Sequence, residues 1–337
     1  MSYLDLIAEP RRDAAREAAR TAFGREPVGD VRPISGGVSG ALILRLQVRD
    51  RPYVLRIEPE RIALADRARG FACMSAAAEV GAAPAVHHAD PASGVAVMDF
   101  VAGRPLSTHP GGAAGLARAL GALIAKVQAT PPFPHLGAYP DFIGDLLHRL
   151  RTSPLLAPGE LAPHAEALAR IRAALPWDPA ALVSSHNDPN PRNLIFDGAR
   201  LWLVDWELGF RNDPLVDLAI LTTEFAETPE LEDVLLEAAL GAAPGERLRA
   251  RLAVIRLLTR LFYGCIVLDS LGETPRPANA AEPAFTPAEF RRAVADGRLT
   301  SGAPETAYAF ARMSLAAFLA GTAAPGFGEV LKRVEQG

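Results

Sequence analysis

Three polar residues near the middle of the chain have types and spacing suited to phosphoryl transfer. Asp188 lies five positions before Asn193, and Asp205 follows at the end of a short apolar run. Phosphoryl transfer from a nucleotide needs a carboxylate that accepts the proton of the attacking hydroxyl, and oxygen ligands for the magnesium ion that bridges the phosphates. These side chains supply such groups. The alternative, in which Asp188 and Asn190 are turn residues and Asp205 only ends a strand, is less favoured because a hairpin and an Asp-Trp-Glu sequence follow.

A predicted β-hairpin brings the three residues together. Apolar segments lie on both sides of Asp197-Gly198, a dipeptide typical of tight hairpin turns. Pairing the segments around this turn places Asn193 near Trp202. It also returns Asp205 to the level of the polar, proline-containing loop that precedes Asn193. The sequence therefore predicts that this loop and Asp205 form one site.

Three motifs surround these residues: Ser-His-Asn-Asp-Pro-Asn-Pro-Arg-Asn-Leu-Ile-Phe at 185–196, Leu-Val-Asp-Trp-Glu at 203–207 and Asn-Asp-Pro-Leu-Val-Asp-Leu-Ala at 212–219. Together they resemble the catalytic core of the aminoglycoside phosphotransferase / choline kinase superfamily. The residues of these motifs are most similar to those of bacterial choline/ethanolamine kinases, and the resemblance covers about residues 30–270.

By motif position, the resemblance implies a role for each polar residue. Asp188 is the expected catalytic base, and Asn193 and Asp205 are the expected magnesium ligands. Asp217 is expected to be a buried acid that steadies the catalytic loop. His186, two residues before the base, is expected to brace the loop rather than to react.

The resemblance also implies an α+β fold of the two-lobed protein-kinase type, with ATP in the cleft between the lobes. Alternating apolar residues over 26–101 predict a small antiparallel sheet with one inserted helix, at about 65–80. We place the N-terminal lobe at 1–101 and a larger, mostly helical C-terminal lobe at 102–337. Helical periodicity is present in residues 1–25 and in segments near 111–129, 141–151, 160–174, 214–225, 229–240, 245–271 and 304–321. The residues at 286–289 have the pattern of a helix N-terminus and predict that a further helix begins there.

Two segments of the predicted sheet are candidates for nucleotide binding. A glycine-rich loop between the first two strands lets backbone N–H groups approach phosphates without obstruction by Cβ atoms, although a plain hairpin loop has the same composition. Its candidate residues are Ser35, Gly36, Gly37, Ser39 and Gly40. Met98, Asp99 and Phe100 resemble the connection between lobes, where backbone groups meet adenine; a core strand followed by a turn is the alternative.

A cation on the third strand is expected to hold the phosphates, and Arg56 is the basic candidate there. Its planar fork binds two phosphate oxygens at once. The family usually places its glutamate partner in the following helix, at the position that is Gly70 in this chain. Asp66, one turn earlier, and Glu79, near the end of the helix, are the nearest acids. Either Asp66 serves as the partner or the ion pair is missing, and a missing pair leaves a nucleotide-binding pseudokinase as an alternative.

The acceptor is expected to be the hydroxyl group of a small molecule. A choline-like acceptor calls for aromatic rings and carboxylates around a quaternary ammonium group. The candidates are Trp206, Glu207, Phe262 and Tyr263, although the last two have helix packing as an alternative. An aminoglycoside would instead use a broad acidic surface, for which the acidic residues of 224–233 are candidates. The sequence favours an ATP- and magnesium-dependent kinase of choline or ethanolamine first, and of an aminoglycoside or another small molecule second.

Composition argues against several other classes. The 337 residues include 35 basic and 39 acidic side chains, a formal charge of −4, so a nucleic-acid partner is not expected. Two cysteines, Cys73 and Cys265, are too few for a disulfide framework and are expected to be buried apolar residues in a reducing compartment. No stretch has the pattern of a membrane span or a signal peptide, which predicts a cytoplasmic protein with no membrane partner. The sequence leaves the oligomeric state open.

Overall fold

A five-stranded antiparallel sheet forms most of the N-terminal part of the chain. The structure, a computed structural model, describes residues 3–34, 40–59, 66–272, 274, 277 and 284–335. The strands lie in the order β1-β2-β3-β5-β4. Their bounds are β1 (Val28–Pro33), β2 (Leu42–Val48), β3 (Arg51–Ile57), β4 (Val86–Asp90) and β5 (Val95–Asp99).

Helices account for most of the remaining structure. Their bounds are α1 (Arg12–Phe23), α2 (Arg67–Glu79), α3 (Gly112–Gln128), α4 (Tyr139–Leu150), α5 (Ala162–Ala174), α6 (Leu215–Phe225), α7 (Pro229–Leu240), α8 (Glu246–Leu271), α9 (Pro287–Ala295), α10 (Pro304–Thr322) and α11 (Phe327–Glu335). Four short strands form two further pairs, β6 (Val183–Ser185) with β9 (Phe210–Asn212), and β7 (Leu194–Phe196) with β8 (Leu201–Leu203). The predicted fold class is confirmed, with a small antiparallel sheet, one inserted helix (α2) and a mostly helical remainder.

The alternating sequence of β2 and β3 decides which face of the sheet is buried. Leu44, Leu46 and Leu55 are fully buried in a cluster that includes alanines of α1. Side chains along a strand point to opposite faces in turn, so Arg56 lies on the face away from this cluster. On that face Arg56 stands between Ile43 of β2 and Ala96 of β5 in the strand register.

Two compact units are distinguished by their internal contacts. The first contains Met1–His135, Val183–Asp217 and Leu221–Ala243. It therefore holds the five-stranded sheet, both short strand pairs, α3 and α7. Helices α3 and α7 pack closely at Gly121, where any Cβ would collide with the carbonyl oxygen of Leu235. The predicted lobe division between residues 101 and 102 stays a prediction.

The second unit contains Leu136–Leu182, Leu218–Ile220 and Pro244–Gly337. Its centre is the long helix α8, which packs against α4, α10 and α11. The nine-residue helix α11 lies outside the predicted helices. Helix α9 begins as predicted, because Thr286 and Glu289 form a capping box.

Both cysteines are fully buried, as expected from the sequence. Burial raises the pKa of the Cys73 thiol and of the Cys265 thiol to about 12. Over the described ranges, no single helix has both the length and the apolar composition needed to cross a membrane. Helices α10 and α11 meet that test only as a pair, and they are bent by 78° at the break between them.

Candidate active site

The backbone of the loop at 186–188 is hydrogen-bonded to a buried carboxylate. Asp217, in the first turn of α6, is fully buried. Its Oδ2 accepts a hydrogen bond from the His186 N–H at 2.9 Å, and its Oδ1 accepts one from the Asn187 N–H at 2.7 Å. Burial raises the pKa of Asp217 to about 7, against the lowering effect of the two N–H donors. The geometry agrees with the predicted steadying role.

We expect Asp217→Asn to destabilise the protein and the loop together. The amide nitrogen of asparagine would face a backbone N–H donor, so one buried N–H would lose its acceptor. An unsatisfied buried donor costs about 1–3 kcal/mol, and more where a charged partner is lost. Chemical denaturation would measure the loss. Asp145→Asn, on the exposed part of α4, is the matched control and should leave the free energy of unfolding unchanged. Equal stability of the two variants would contradict the assignment.

Asn187 is a second anchor of the loop, and the sequence analysis did not identify it. Its backbone has φ +65°, in the left-handed region that asparagine tolerates better than most residues. Its Nδ2 donates to the Leu208 carbonyl at 2.9 Å, and its Oδ1 accepts from Asn212 Nδ2 at 2.7 Å. The sequence feature that could have indicated this role is the residue type, because asparagine is favoured where the backbone is left-handed.

His186 is fully buried, and its ring makes two hydrogen bonds that fix its tautomer. Nε2–H donates to the Val204 carbonyl at 3.0 Å, and Nδ1 accepts the Asp188 N–H at 3.3 Å. The ring also packs against Trp206 at 4.5 Å between centroids. Burial lowers the pKa of His186 to about 4. The imidazole is therefore neutral near pH 7, which suits a bracing role.

We expect the His186 imidazole to stay neutral, with the proton on Nε2, well below the usual histidine pKa. Protonation would place an unpaired charge in the interior, so the folded state resists it until about pH 4. Since the unfolded pKa is about 6.5, stability from this group is lost as the pH falls from about 6.5 to 4. Nitrogen NMR of the histidine rings, assigned with a His186→Gln sample, would measure this. A midpoint near 6.5 for His186 would contradict the bracing role.

The carboxylate of Asp188 is oriented by two side-chain amides. Its Oδ1 accepts from Asn190 Nδ2 at 2.7 Å, and its Oδ2 accepts from Asn193 Nδ2 at 2.9 Å. The same Asn193 nitrogen also donates to the Asp188 carbonyl at 2.9 Å. Because the nitrogen of Asn193 faces Asp188, its amide oxygen is the atom that can serve a further partner. The structure thus brings the predicted base next to one predicted metal ligand.

The hairpin that carries Asp205 has a register different from the one predicted. Ile195 is opposite Trp202, and the Val204 N–H donates to the Asn193 carbonyl at 3.0 Å. Asn193 therefore lies beside Val204 rather than Trp202, two residues further along the second strand. The reason is a longer turn, in which the Asp197 side chain accepts N–H groups of Ala199 and Arg200. The shift places Val204, the residue before Asp205, beside Asn193.

Asp205 has φ +68°, a left-handed conformation that is uncommon for a residue with a side chain. Such strain persists where the surroundings hold it, and it is concentrated at functional sites. Asp205 Oδ1 accepts from Arg56 Nη2 at 2.8 Å across 149 positions of sequence. Strand β3 and the hairpin are thereby joined at this carboxylate.

Arg56 is surrounded by three carboxylates. Its Nε donates to Glu58 Oε1 at 2.6 Å, its Nη2 donates to Asp205, and Glu207 Oε2 lies 3.9 Å from Nη2. Burial by itself would lower the pKa of Arg56, but Asp205 and Glu58 outweigh it and raise that pKa. The expectation that Asp66 is the partner is wrong, and among the described residues no acid of α2 pairs with Arg56. Asp66 instead caps α2 by accepting the Ala68 N–H at 2.9 Å.

Glu207 combines burial with a concentration of negative charge. Burial raises its pKa to about 7, and neighbouring Asp205 adds to the increase. Helix α2 packs against the backbone of Glu207, since a Cβ on Gly70 would lie 3.4 Å from the Glu207 Cα. Arg69 Nη2 also donates to the Glu207 carbonyl at 3.0 Å. The backbone of Glu207 is therefore fixed against α2.

Two of the predicted acceptor residues are packed in the interior. Trp206 is 4% exposed, and its Nε1–H donates to the Leu203 carbonyl. Phe262 is 6% exposed and contacts Tyr139, with ring centroids 5.2 Å apart. These rings serve as core residues of their units, which does not match a substrate-facing role. Tyr263 is partly exposed and lies near Phe310.

The predicted nucleotide-binding residues are only partly described. Ser35, Gly36, Gly37 and Ser39 lie outside the described residues; Gly40 is described and has φ +71°. Met98 is buried in β5.

The backbone N–H groups at the C-terminal end of β5 and just after it are hydrogen-bonded to neighbouring backbone carbonyls. The Asp99 N–H donates to Ala85 and the Phe100 N–H to Pro52. Asp99 also accepts from His87 Nε2 at 2.8 Å. An adenine-binding role for this segment stays a prediction.

The donor set fits a magnesium ion that shares its coordination with phosphates. In the described part of the chain, no group of three histidine, cysteine or acidic side chains converges as a metal-binding cluster. Magnesium in nucleotide sites usually takes only one or two carboxylates from the protein, with phosphate oxygens and water completing the shell. The Asp205 carboxylate and the Asn193 amide oxygen provide such a partial set.

Comparisons with known proteins agree with this geometry. A model of the phosphotransferase enzyme family matches residues 30–254. The chain belongs to this family. The resemblance to the aminoglycoside phosphotransferase / choline kinase superfamily is thereby confirmed, and membership makes the chain a phosphotransferase-family enzyme.

Similar solved structures cover nearly the whole chain. A choline/ethanolamine kinase family protein from Mesorhizobium loti is 25% identical, with a TM-score of 0.70, over 96% of this chain and 99% of that one. Choline kinase LicA from Streptococcus pneumoniae shares the fold at 15% identity, with a TM-score of 0.64, over 92% and 100% of the two chains. The protein LicA of Haemophilus influenzae is 42% identical over 52 residues, which span 15% of this chain and only 20% of that relative.

Proposed function

We propose that this chain is an ATP- and magnesium-dependent kinase that phosphorylates the hydroxyl group of a small molecule, with an amino alcohol such as choline or ethanolamine as the first acceptor class. The observation that carries the proposal is the grouping of an oriented carboxylate, Asp188, with the Asn193 amide and the ion-paired Arg56 and Asp205. These groups match the needs of phosphoryl transfer, namely a base, metal ligands and a phosphate-binding cation.

Asp188 is proposed to accept the proton of the acceptor hydroxyl. Hydrogen bonds from Asn190 and Asn193 fix the plane of the carboxylate. The rigid loop beneath it, anchored by His186 and Asp217, keeps the position of the base from varying. Accurate placement matters because most of the rate acceleration in phosphoryl transfer comes from positioning and electrostatics.

Asp205 and Asn193 are the residues that would hold magnesium through their side-chain oxygens. When bound, the ion neutralises charge on the phosphates. Arg56 is proposed to bind phosphate oxygens with its guanidinium group, which is held in place by Glu58. In the absence of nucleotide, Arg56 neutralises Asp205 and keeps the strained hairpin end in one arrangement.

Glu207 supports a cationic acceptor. Its carboxylate is partly exposed at 27%, and it has a raised pKa because of burial and neighbouring acids. An ammonium group placed beside it would stabilise its ionised form. The relatives named choline or ethanolamine kinase further support an amino alcohol as the acceptor class.

A substrate screen tests this proposal. Purified protein would be given ATP, magnesium and, in parallel, choline, ethanolamine, other amino alcohols or aminoglycosides, with ADP release and the phosphorylated product both measured. We expect magnesium-dependent transfer to an amino alcohol, and none with Asp188→Asn. Transfer only to an aminoglycoside would overturn the acceptor class. Tight ATP binding without transfer to any acceptor would overturn the kinase proposal in favour of a nucleotide-binding pseudokinase.

A further inference from the structure

Glu58 is the most deeply buried acid around Arg56, with a side chain only 6% exposed. A buried carboxylate is costly unless a cation or hydrogen-bond donors compensate for it. Arg56 Nε supplies that compensation at 2.6 Å, while Glu58 Oε2 has no hydrogen-bond partner among the described residues. Arg56 is therefore the cation that compensates for the buried Glu58 carboxylate.

The backbone of Glu58 is as firmly held as its side chain. Its N–H donates to the Gly94 carbonyl at 2.8 Å, and its carbonyl accepts from Arg11 Nη1 at 3.0 Å. Arg56 is in β3 and Glu58 directly follows that strand, and their 2.6 Å contact places the two side chains together. The Arg56–Glu58 pair is thus built within one stretch of backbone.

Position 70 of α2, where the family usually has a glutamate, is a glycine in this chain and supplies no acid. Gly70 faces the backbone of residues 206 and 207, and a Cβ there would be 3.5 Å from the Trp206 carbonyl oxygen and 3.4 Å from the Glu207 Cα. These are ordinary van der Waals distances, so they do not by themselves require glycine. The acid that pairs with Arg56 is Glu58, which directly follows β3.

We propose that Glu58 is the positioning residue that holds Arg56 for the nucleotide phosphates, in place of an acid on α2. The inference rests on the proposed function. Glu58 binds Nε and Asp205 binds Nη2, so Nη1 remains for a phosphate. Asp205, 25% exposed, is the residue that would hold the metal, whereas Glu58, only 6% exposed, would serve Arg56 alone. Because Glu58 follows Arg56 by two residues along the chain, the pair does not depend on the position of α2.

Calorimetric binding of ATP, with magnesium and with a chelator, tests the proposal. We expect Glu58→Gln to weaken ATP binding by about tenfold under both conditions, because a charge-assisted contact to Arg56 is lost. The KM for the acceptor should stay within about twofold of the wild type, since positioning of Arg56 affects the phosphates. Glu58→Asp, which keeps the charge on a shorter side chain, should show an intermediate loss. Glu79→Gln, an exposed acid on α2, is the matched control and should bind like the wild type.

A double-mutant comparison separates positioning from general stability. If Glu58 acts through Arg56, Glu58→Gln should weaken ATP binding much less in an Arg56→Ala background than in the wild type. The double variant should also melt at a higher temperature than Arg56→Ala alone, because it lacks the uncompensated buried carboxylate. Wild-type ATP affinity in both Glu58 variants, or an equal loss in the two backgrounds, would overturn the proposal. Failure of the wild type itself to bind ATP would instead overturn the proposed function.

Discussion

Asp188→Asn is expected to lower kcat by about 10²–10⁴-fold while leaving ATP affinity within a few-fold of the wild type. The base acts only on the acceptor hydroxyl, so its loss affects the chemical step and not nucleotide binding. Asparagine is nearly the same size and can still accept one hydrogen bond from Asn190 or Asn193, which keeps the loop in place. Steady-state kinetics and calorimetric ATP binding would measure the two quantities.

The control for this variant is Asp145→Asn, which makes the same chemical change at an exposed site on α4. It should retain wild-type kcat. If Asp188→Asn keeps more than about a tenth of the wild-type rate, Asp188 is not the general base. If it loses ATP affinity as strongly as turnover, the residue serves nucleotide binding instead.

Asp205→Ala is expected to remove both turnover and the magnesium-dependent part of ATP binding. A metal ion at the transferring phosphoryl group stabilises the transition state by several kcal/mol, so kcat should fall by at least about a hundredfold. Asn193→Ala should be milder, because a neutral amide contributes less to a dication than a carboxylate does. Calorimetry with magnesium and with a chelator would isolate the metal-dependent part.

The comparison with Glu58→Gln gives this experiment its control. Glu58→Gln should weaken ATP binding with or without magnesium, whereas Asp205→Ala should abolish the difference between the two conditions. An Asp205→Ala protein that binds ATP and magnesium like the wild type would contradict the metal-ligand assignment. The Arg56–Asp205 ion pair would then be a purely structural link.

The regular elements could be predicted because their sequence patterns are local. Burial alternates over the last five residues of β2 and the last three of β3, and Thr286 with Glu289 forms a capping box within four residues. The hairpin register could not be predicted, because it depends on which N–H groups the Asp197 side chain captures. Asp-Gly by itself favours a two-residue turn, and the longer turn is formed because the Asp197 side chain accepts two N–H groups.

The site could be predicted where motif spacing defines it, and it could not where distant residues meet. Asp188, Asn193 and Asp205 are close together in the sequence, and the structure places Asn193 against Asp188 and beside Val204, the neighbour of Asp205. The contact between Arg56 and Asp205 joins residues 149 positions apart, and no local sequence pattern could predict it. The family pattern places the partner of Arg56 on the helix, whereas in this chain the partner Glu58 directly follows β3.

The burial of Cys73 and Cys265 has a practical consequence for labelling. With thiol pKa values of about 12, both stay protonated and shielded at neutral pH, so alkylating reagents should react with them only slowly. A single cysteine placed at an exposed position such as Ala72 would then take up a spin label or fluorophore selectively. A label on α2 could therefore report the environment of that helix while nucleotide is added, without replacement of the two native cysteines.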